Sequence, residues 1–367
     1  MLRLIGPAVA SCALCLMAIM ALRPLAIAVD LIDRPGGRKT HHGDVPIVGG
    51  LAMYLGVVLG INLLVPADPA AGPFLAACTV LVTVGLIDDR FDLSPWARLP
   101  AQICAAIVLV VGAGALVTTI GDPFGVGVIT LSGSSSIFFT ILTIIAAINA
   151  FNMLDGMDGL AGATALISLI ALSAMAWPGD PVPAGVCFVI GGSICAFLVF
   201  NLPTHTNRSV RCFMGDAGST LLGFCVAWIC IRVSQGTTAS KPVAPVATLW
   251  AVAMPLYELF WTTLRRILRG DSPFRADTSH FHHLLLKAGF GVRGAFAIFV
   301  VLASLLAACG VVTSSLDVPA VYSFMLLVGA GVGVVLLMYR ADVLWRIVPE
   351  SLRRIAPLDG GVTRAEE

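Results

Sequence analysis

Apolar runs about as long as a bilayer crossing alternate with short polar stretches along nearly the whole chain. A helix needs about 20 mostly apolar residues, within a range of about 17–25, to span the hydrocarbon core. That ruler marks eleven runs, near residues 4–28, 47–65, 73–87, 99–120, 135–152, 159–177, 183–201, 217–234, 243–264, 294–313 and 318–338. The third is short, which predicts tilt or packing among its neighbours. Segment 121–134 is too rich in glycine for a crossing and predicts a short hairpin. No internal repeat is evident, so the inverted-repeat plan of many transporters is not indicated. The pattern predicts an all-α polytopic membrane protein, with one transmembrane domain over 1–338 and a tail over 339–367.

Composition agrees: 58% of the 367 residues are hydrophobic and 12% charged, against about 25% charged in a soluble domain. A net charge of +1 leaves no global electrostatic case for binding nucleic acid. The ten cysteines are scattered, and Cys12 and Cys15 fall inside the first apolar run, where small buried thiols are expected. No zinc-binding spacing occurs. The first run lacks a small-residue cleavage site before Arg23 and Pro24, which predicts a retained span. Arg3, Arg232 and Lys241 fall on one side of the spans and the other basic residues on the opposite side. The positive-inside rule makes that second side cytoplasmic.

The acids follow the same division. Asp33, Asp44, Asp88, Asp89, Asp92, Asp155, Asp158, Asp216, Asp271 and Asp277 all land on the cytoplasmic side. An aspartate at the bilayer centre costs about 2.5–3.5 kcal/mol, and placement at helix ends avoids most of that. Five polar loops therefore gather over one membrane face. A transporter would need charges near the midplane and access from both faces, which this distribution disfavours.

Asn149, Asn152, Asp155 and Asp158 recur at steps of three, with Gly156, Gly159 and Gly162 among them. Each step of three falls about 60° short of a helical turn, so the four cannot share one helical face. The reading is a helix end at the asparagines and a tight loop presenting the aspartates, the alternative being a plain turn between two spans. In the first cytoplasmic loop, Arg38, Lys39 and His42 suit a phosphate or lipid head group. Asp88 and Asp89, followed by Asp92, would repel one another unless a cation, a proton or an arginine intervenes, which points to metal binding or base catalysis, the alternative being simple solvation at a helix end facing water. Gly215-Asp216-Ala217-Gly218-Ser219 opens the eighth run. Free N–H groups at a helix start suit an anion, and an aspartate there can hold Mg²⁺ bridging to phosphates, or simply cap the helix. His280, His282 and His283 suit anion contact better than zinc, because the other loops offer hard oxygen ligands. Glu258, the one mid-chain glutamate, receives no role. The set as a whole suits phosphoryl transfer.

In order, these loops resemble the polyprenyl-phosphate N-acetylhexosamine-1-phosphate transferases, most closely the WecA type. The similarity rests on Arg38, Lys39 and His42 with Pro46 and Gly49-Gly50, on Asp88-Asp89 with Asp92, and on the Asn149-to-Ala161 stretch. Gly215-Asp216 with Gly218-Ser219 and the histidine loop complete it. The resemblance implies transfer of a sugar 1-phosphate from a UDP-N-acetyl sugar, UDP-N-acetylglucosamine foremost, to undecaprenyl phosphate with release of UMP. It implies a bilayer-embedded enzyme that begins a cell-surface polysaccharide such as O-antigen, uses Mg²⁺ or Mn²⁺, and can form a homodimer. It implies Asp216 and Asn152 as metal ligands, and Asp88, Asp89, Asp155 and Asp158 as catalytic positions. Phe213 matches a uracil-stacking aromatic. Arg38, Lys39, His42, Asn149, Gly215, Ser219, His280, His282 and His283 match substrate-binding positions.

Overall fold

The computed structural model describes residues 2–34, 43–65, 68–177, 181–202, 210–236, 242–272 and 280–340. Arg38, Lys39 and His42, together with Asp180, Arg208, Lys241, Arg275, Asp277 and the tail from 341, lie outside the described residues.

Helix occupies each of the eleven apolar runs. The helices are α1 (Leu2–Ala28), α2 (Gly49–Leu64), α3 (Ala71–Phe91), α4 (Pro95–Ala113), α5 (Ser134–Leu154), α6 (Leu160–Ala176) and α7 (Pro181–Asn201). They continue with α8 (Gly215–Gln235), α9 (Pro245–Ala251), α10 (Ala253–Leu268), α11 (Phe281–Lys287), α12 (Val292–Ser315) and α13 (Ala320–Tyr339). Among the described residues, eight helices are long and apolar enough to cross a membrane: α1, α3, α4, α5, α7, α8, α12 and α13. Helices α2 and α6 are apolar but shorter. The predicted hairpin is present as an antiparallel pair of β3 (Thr119–Gly121) with β4 (Ile129–Thr130); a second pair, β1 (Ile32–Asp33) with β2 (Val45–Pro46), flanks the first polar loop and was not predicted.

Three expectations are corrected. The third run is not short: α3 has 21 residues and takes in Asp88 and Asp89, which stand on its last turn rather than in a loop. The fourth run ends early, because Gly114 takes a left-handed conformation (φ 62°) and stops α4 at Ala113. The ninth run is broken at Val252 between α9 and α10. Pro255 has no N–H to bond the Ala251 carbonyl four residues back, and breaks the helix there. The Ser168 hydroxyl, from α6, donates to that carbonyl at 2.7 Å, as a freed carbonyl in an apolar setting requires.

Helix α8 is the hub. Its most apolar window is 89% buried, against 28% in α1, α4 and α13. It packs on α2, α3, α5 and α6, and Phe74 of α3 stacks on Trp228 with ring centroids 3.9 Å apart. Close approach of α3 needs Gly85: a Cβ there would meet the backbone of Ala217. That contact lies one turn before Asp88 and one residue after Asp216. The outer surface carries bare apolar side chains such as Val111, Phe138 and Leu268, a pattern suited to lipid rather than water. Helix α10 shows it most clearly. Its buried face carries Glu258, Thr262, Arg265 and Arg266, while Phe260, Leu264, Ile267 and Leu268 face outward.

Candidate active site

The C-terminal end of α3 meets the N-terminal end of α8. Carboxylates on the last turn of their own helix face its negative end and need partners from elsewhere. Asp89 finds them on α8, where its Oδ1 accepts the Asp216 N–H at 2.6 Å and its Oδ2 the Ala217 N–H at 3.3 Å. The chain enters α8 through Gly215 at φ 70°, and a side chain there would run into the Asp89 carboxylate. Asp89 thus anchors the start of α8. Asp88 is buried; its Oδ1 accepts the Leu93 N–H at 2.7 Å, and its Oδ2 pairs with Arg98 Nη1 at 2.9 Å. The same Arg98 nitrogen donates to Asp216 Oδ1 at 3.0 Å. One guanidinium nitrogen therefore joins a carboxylate oxygen of α3 to one of α8.

Asn152, on the last turn of α5, donates from Nδ2 to Asp216 Oδ1 at 2.5 Å and to Ser219 Oγ at 3.0 Å. Ser219 is fully buried and supports Asn152. Asn149 is not drawn into this group. Its Nδ2 donates to Gln102 Oε1 at 2.9 Å and to the Ile145 carbonyl at 2.8 Å, tying α5 to α4.

Helix α5 ends at Leu154, so Asp155 and Asp158 lie in the short turn before α6. Asp158 pairs with Arg211 at 2.5 Å, and the Arg211 guanidinium lies 5.5 Å from the Phe213 ring centroid. Asn201 secures the turn: its Oδ1 accepts the Gly159 N–H at 2.5 Å and its Nδ2 donates to the Cys212 carbonyl at 3.0 Å. The Phe213 N–H donates to the Pro46 carbonyl at 3.0 Å, joining the fourth polar loop to the first. The carboxyl of Asp155 is held well above the usual carboxylate range by loss of hydration and by the charges of Asp216, Asp89 and Asp158. Asp155 retains exposed surface, so the neighbouring carboxylates are the firmer of these two causes. Negative charge in such excess favours a cation.

The histidine loop closes over this turn. His282 is 1% exposed, and its Nε2 lies 2.7 Å from where a Cβ on Gly156 would stand. Burial, with His283 and His280 beside it, lowers its pKa to about 3, so the ring is neutral at pH 7. The His280 and His282 rings lie nearly parallel, 4° apart, with centroids separated by 5.7 Å.

Thus Asp88, Asp89, Asn152, Asp155, Asp158, Phe213, Gly215, Asp216, Ser219 and the histidines form one end of the helical body. Sequence reasoning missed Arg98 and Asn201. Arg98 carried a signal: Ser94 and Pro95 announce a helix start, and a cation in the first turn is disfavoured there without a compensating anion.

Residues 72–234 match the model of glycosyl transferase family 4. The chain is 37% identical over 290 residues to the undecaprenyl-phosphate alpha-N-acetylglucosaminyl 1-phosphate transferase of Escherichia coli K12, covering 79% of this chain and 78% of that one. The Salmonella typhimurium protein of that name is 39% identical over 294 residues, 80% of this chain and 79% of its own. The Haemophilus influenzae one is 34% identical over 334 residues, 90% and 92% of the two chains. The loops that meet at the start of α8 and this similarity together place the chain in the polyprenyl-phosphate N-acetylhexosamine-1-phosphate transferase family.

Proposed function

We propose that the protein transfers N-acetylglucosamine 1-phosphate from UDP-N-acetylglucosamine to undecaprenyl phosphate and releases UMP. An oxygen of the lipid phosphate forms a bond to the phosphorus that carries the sugar, and the bond from that phosphorus to the UMP oxygen breaks. Direct attack suffices, since the lipid phosphate is already a competent nucleophile. Asp88 orients that phosphate and takes its proton if it arrives singly protonated. Asp89 holds the start of α8, so that Asp216 stays opposite Asp88. Asp155 and Asp158, with Phe213, line the nucleotide side, and the histidine loop faces the diphosphate.

The observation that carries this reading is the meeting of Asp88 and Asp216 on one nitrogen of Arg98, with Asn152 bonded to the same Asp216 oxygen. It is also the test of whether a metal fits. Two hard oxygens from separate helices already surround a positive charge. Two carboxylates suit Mg²⁺, which takes one or two and completes its shell with water and substrate phosphates. Asp216 and Asn152 would hold Mg²⁺ or Mn²⁺, the amide turning to offer Oδ1; bound there, the ion supplies positive charge against the diphosphate. Eleven crossings of a bacterial inner membrane, with this end cytoplasmic, would put the site at the leaflet holding the lipid phosphate. The product then opens synthesis of a surface polysaccharide such as O-antigen.

The test is UMP release by purified protein given a panel of UDP-N-acetyl sugars, with and without undecaprenyl phosphate and divalent cation. Release should need all three components and be fastest with UDP-N-acetylglucosamine. Asp216→Asn retaining full rate would overturn the assignment of the site.

A further inference from the structure

Glu258 is 0% exposed and comes from α10, an element the site described above does not use. Burying a carboxylate costs several kcal/mol, or about that order, unless it is paired and hydrogen-bonded. Every partner of Glu258 leads to the histidine loop or steadies it. Oε2 accepts the Phe281 N–H at 3.0 Å, the first free donor of α11. Oε1 meets His280 Nδ1 at 2.8 Å and accepts the Thr262 hydroxyl at 3.1 Å. His280 precedes α11 but makes no side-chain cap of its own, so the negative charge at that helix start is supplied by α10.

We propose that Glu258 is the positioning residue of the histidine loop. Its carboxylate accepts the hydrogen bond of His280 Nδ1–H, which aims the ring and leaves Nε2 on the substrate side, where, carrying a proton, it donates to the diphosphate. His282 stacks on that fixed ring, and both of its ring nitrogens are buried without a hydrogen-bond partner. Its Nε2 points at Gly156, between Asp155 and Asp158. Orientation set at Glu258 is thereby carried through two imidazoles to the aspartate turn. This role rests on the reading that the loop faces the sugar nucleotide.

The experiment compares wild type, Glu258→Gln, His280→Gln and the double variant in detergent, each checked for monodispersity and thermal midpoint, by UMP release. Glu258→Gln should lower kcat/KM for UDP-N-acetylglucosamine about 10–100-fold, the usual effect of losing a carboxylate behind a liganding histidine. It should leave the KM for undecaprenyl phosphate within about twofold, and the double variant should be no worse than His280→Gln alone, because one residue acts through the other. Losses that multiply in the double variant, or a Glu258→Gln protein as active as wild type, would overturn the proposal. If Glu258→Gln does not fold, Thr262→Val carries the test. It removes one hydrogen bond to Oε1 at nearly constant volume and should raise only the sugar-nucleotide KM, about threefold or more; no change in that KM counts against the role. A wild type that releases no UMP would instead defeat the functional reading itself.

Discussion

At the scale of single residues, the site is a problem of surplus negative charge. Asp88, Asp89, Asp155, Asp158 and Asp216 gather at one end of the bundle, and four of the five are met by arginines or N–H donors. Asp158 has Arg211, and Asp89 has two backbone donors of α8. Asp88 and Asp216 share Arg98. Because Arg98 stands where two carboxylate oxygens converge, it would compete with the proposed divalent cation for them. Arg98→Gln should therefore tighten Mn²⁺ binding to the substrate-free protein by about tenfold, the equivalent of about 1.4 kcal/mol, while turnover falls. Calorimetric titration of Mn²⁺ into wild type and variant checks this, and unchanged or weaker binding would contradict it. The sequence displayed the five aspartates plainly, since acids are scarce in such a chain. It did not display their partners, which come from loops and helices far along it.

At the scale of elements, the decisive contact is α3 on α8. A glycine was legible at position 85, but its consequence was not, because it depends on Ala217 lying opposite. Gly85→Ala should push the helices apart, cost about 1–3 kcal/mol as overpacking does, and separate Asp88 from Asp216. Turnover should fall more than the thermal midpoint suggests. Gly72→Ala, in the same helix but with open space around the added methyl, is the control and should be silent in both assays. The break at Pro255 teaches a related lesson. The proline was visible in the chain, whereas the Ser168 hydroxyl that makes its break tolerable was supplied by another helix.

At the scale of the whole molecule, the two ends of α8 define two surfaces about 30 Å apart. One holds the carboxylates and histidines. The other holds the Arg232–Asp68 pair and Gln235, whose side chain binds Thr118 and Thr119 beside the small hairpin. If the first end is cytoplasmic, labels should tell them apart. With exposed Cys104, Cys195 and Cys309 replaced by alanine, a membrane-impermeant maleimide outside intact cells should label Phe124→Cys in the hairpin. Arg34→Cys, near Asp30 and Arg90 at the site end, should react only after the membrane is opened. The opposite pattern would reverse the orientation.

The sequence by itself determined where the helices run and which side chains bear chemistry. Both follow from local costs: an apolar run is driven into lipid residue by residue, and a charge kept near it stands out. Tertiary structure alone decided the partnerships. Arg98 reaches Asp216 across 118 positions, Asp89 reaches the same residue across 127, and Asn149 turns aside to Gln102. Hydrogen bonds are short-ranged and directional, so such pairings exist only once packing has brought separate helix ends within reach.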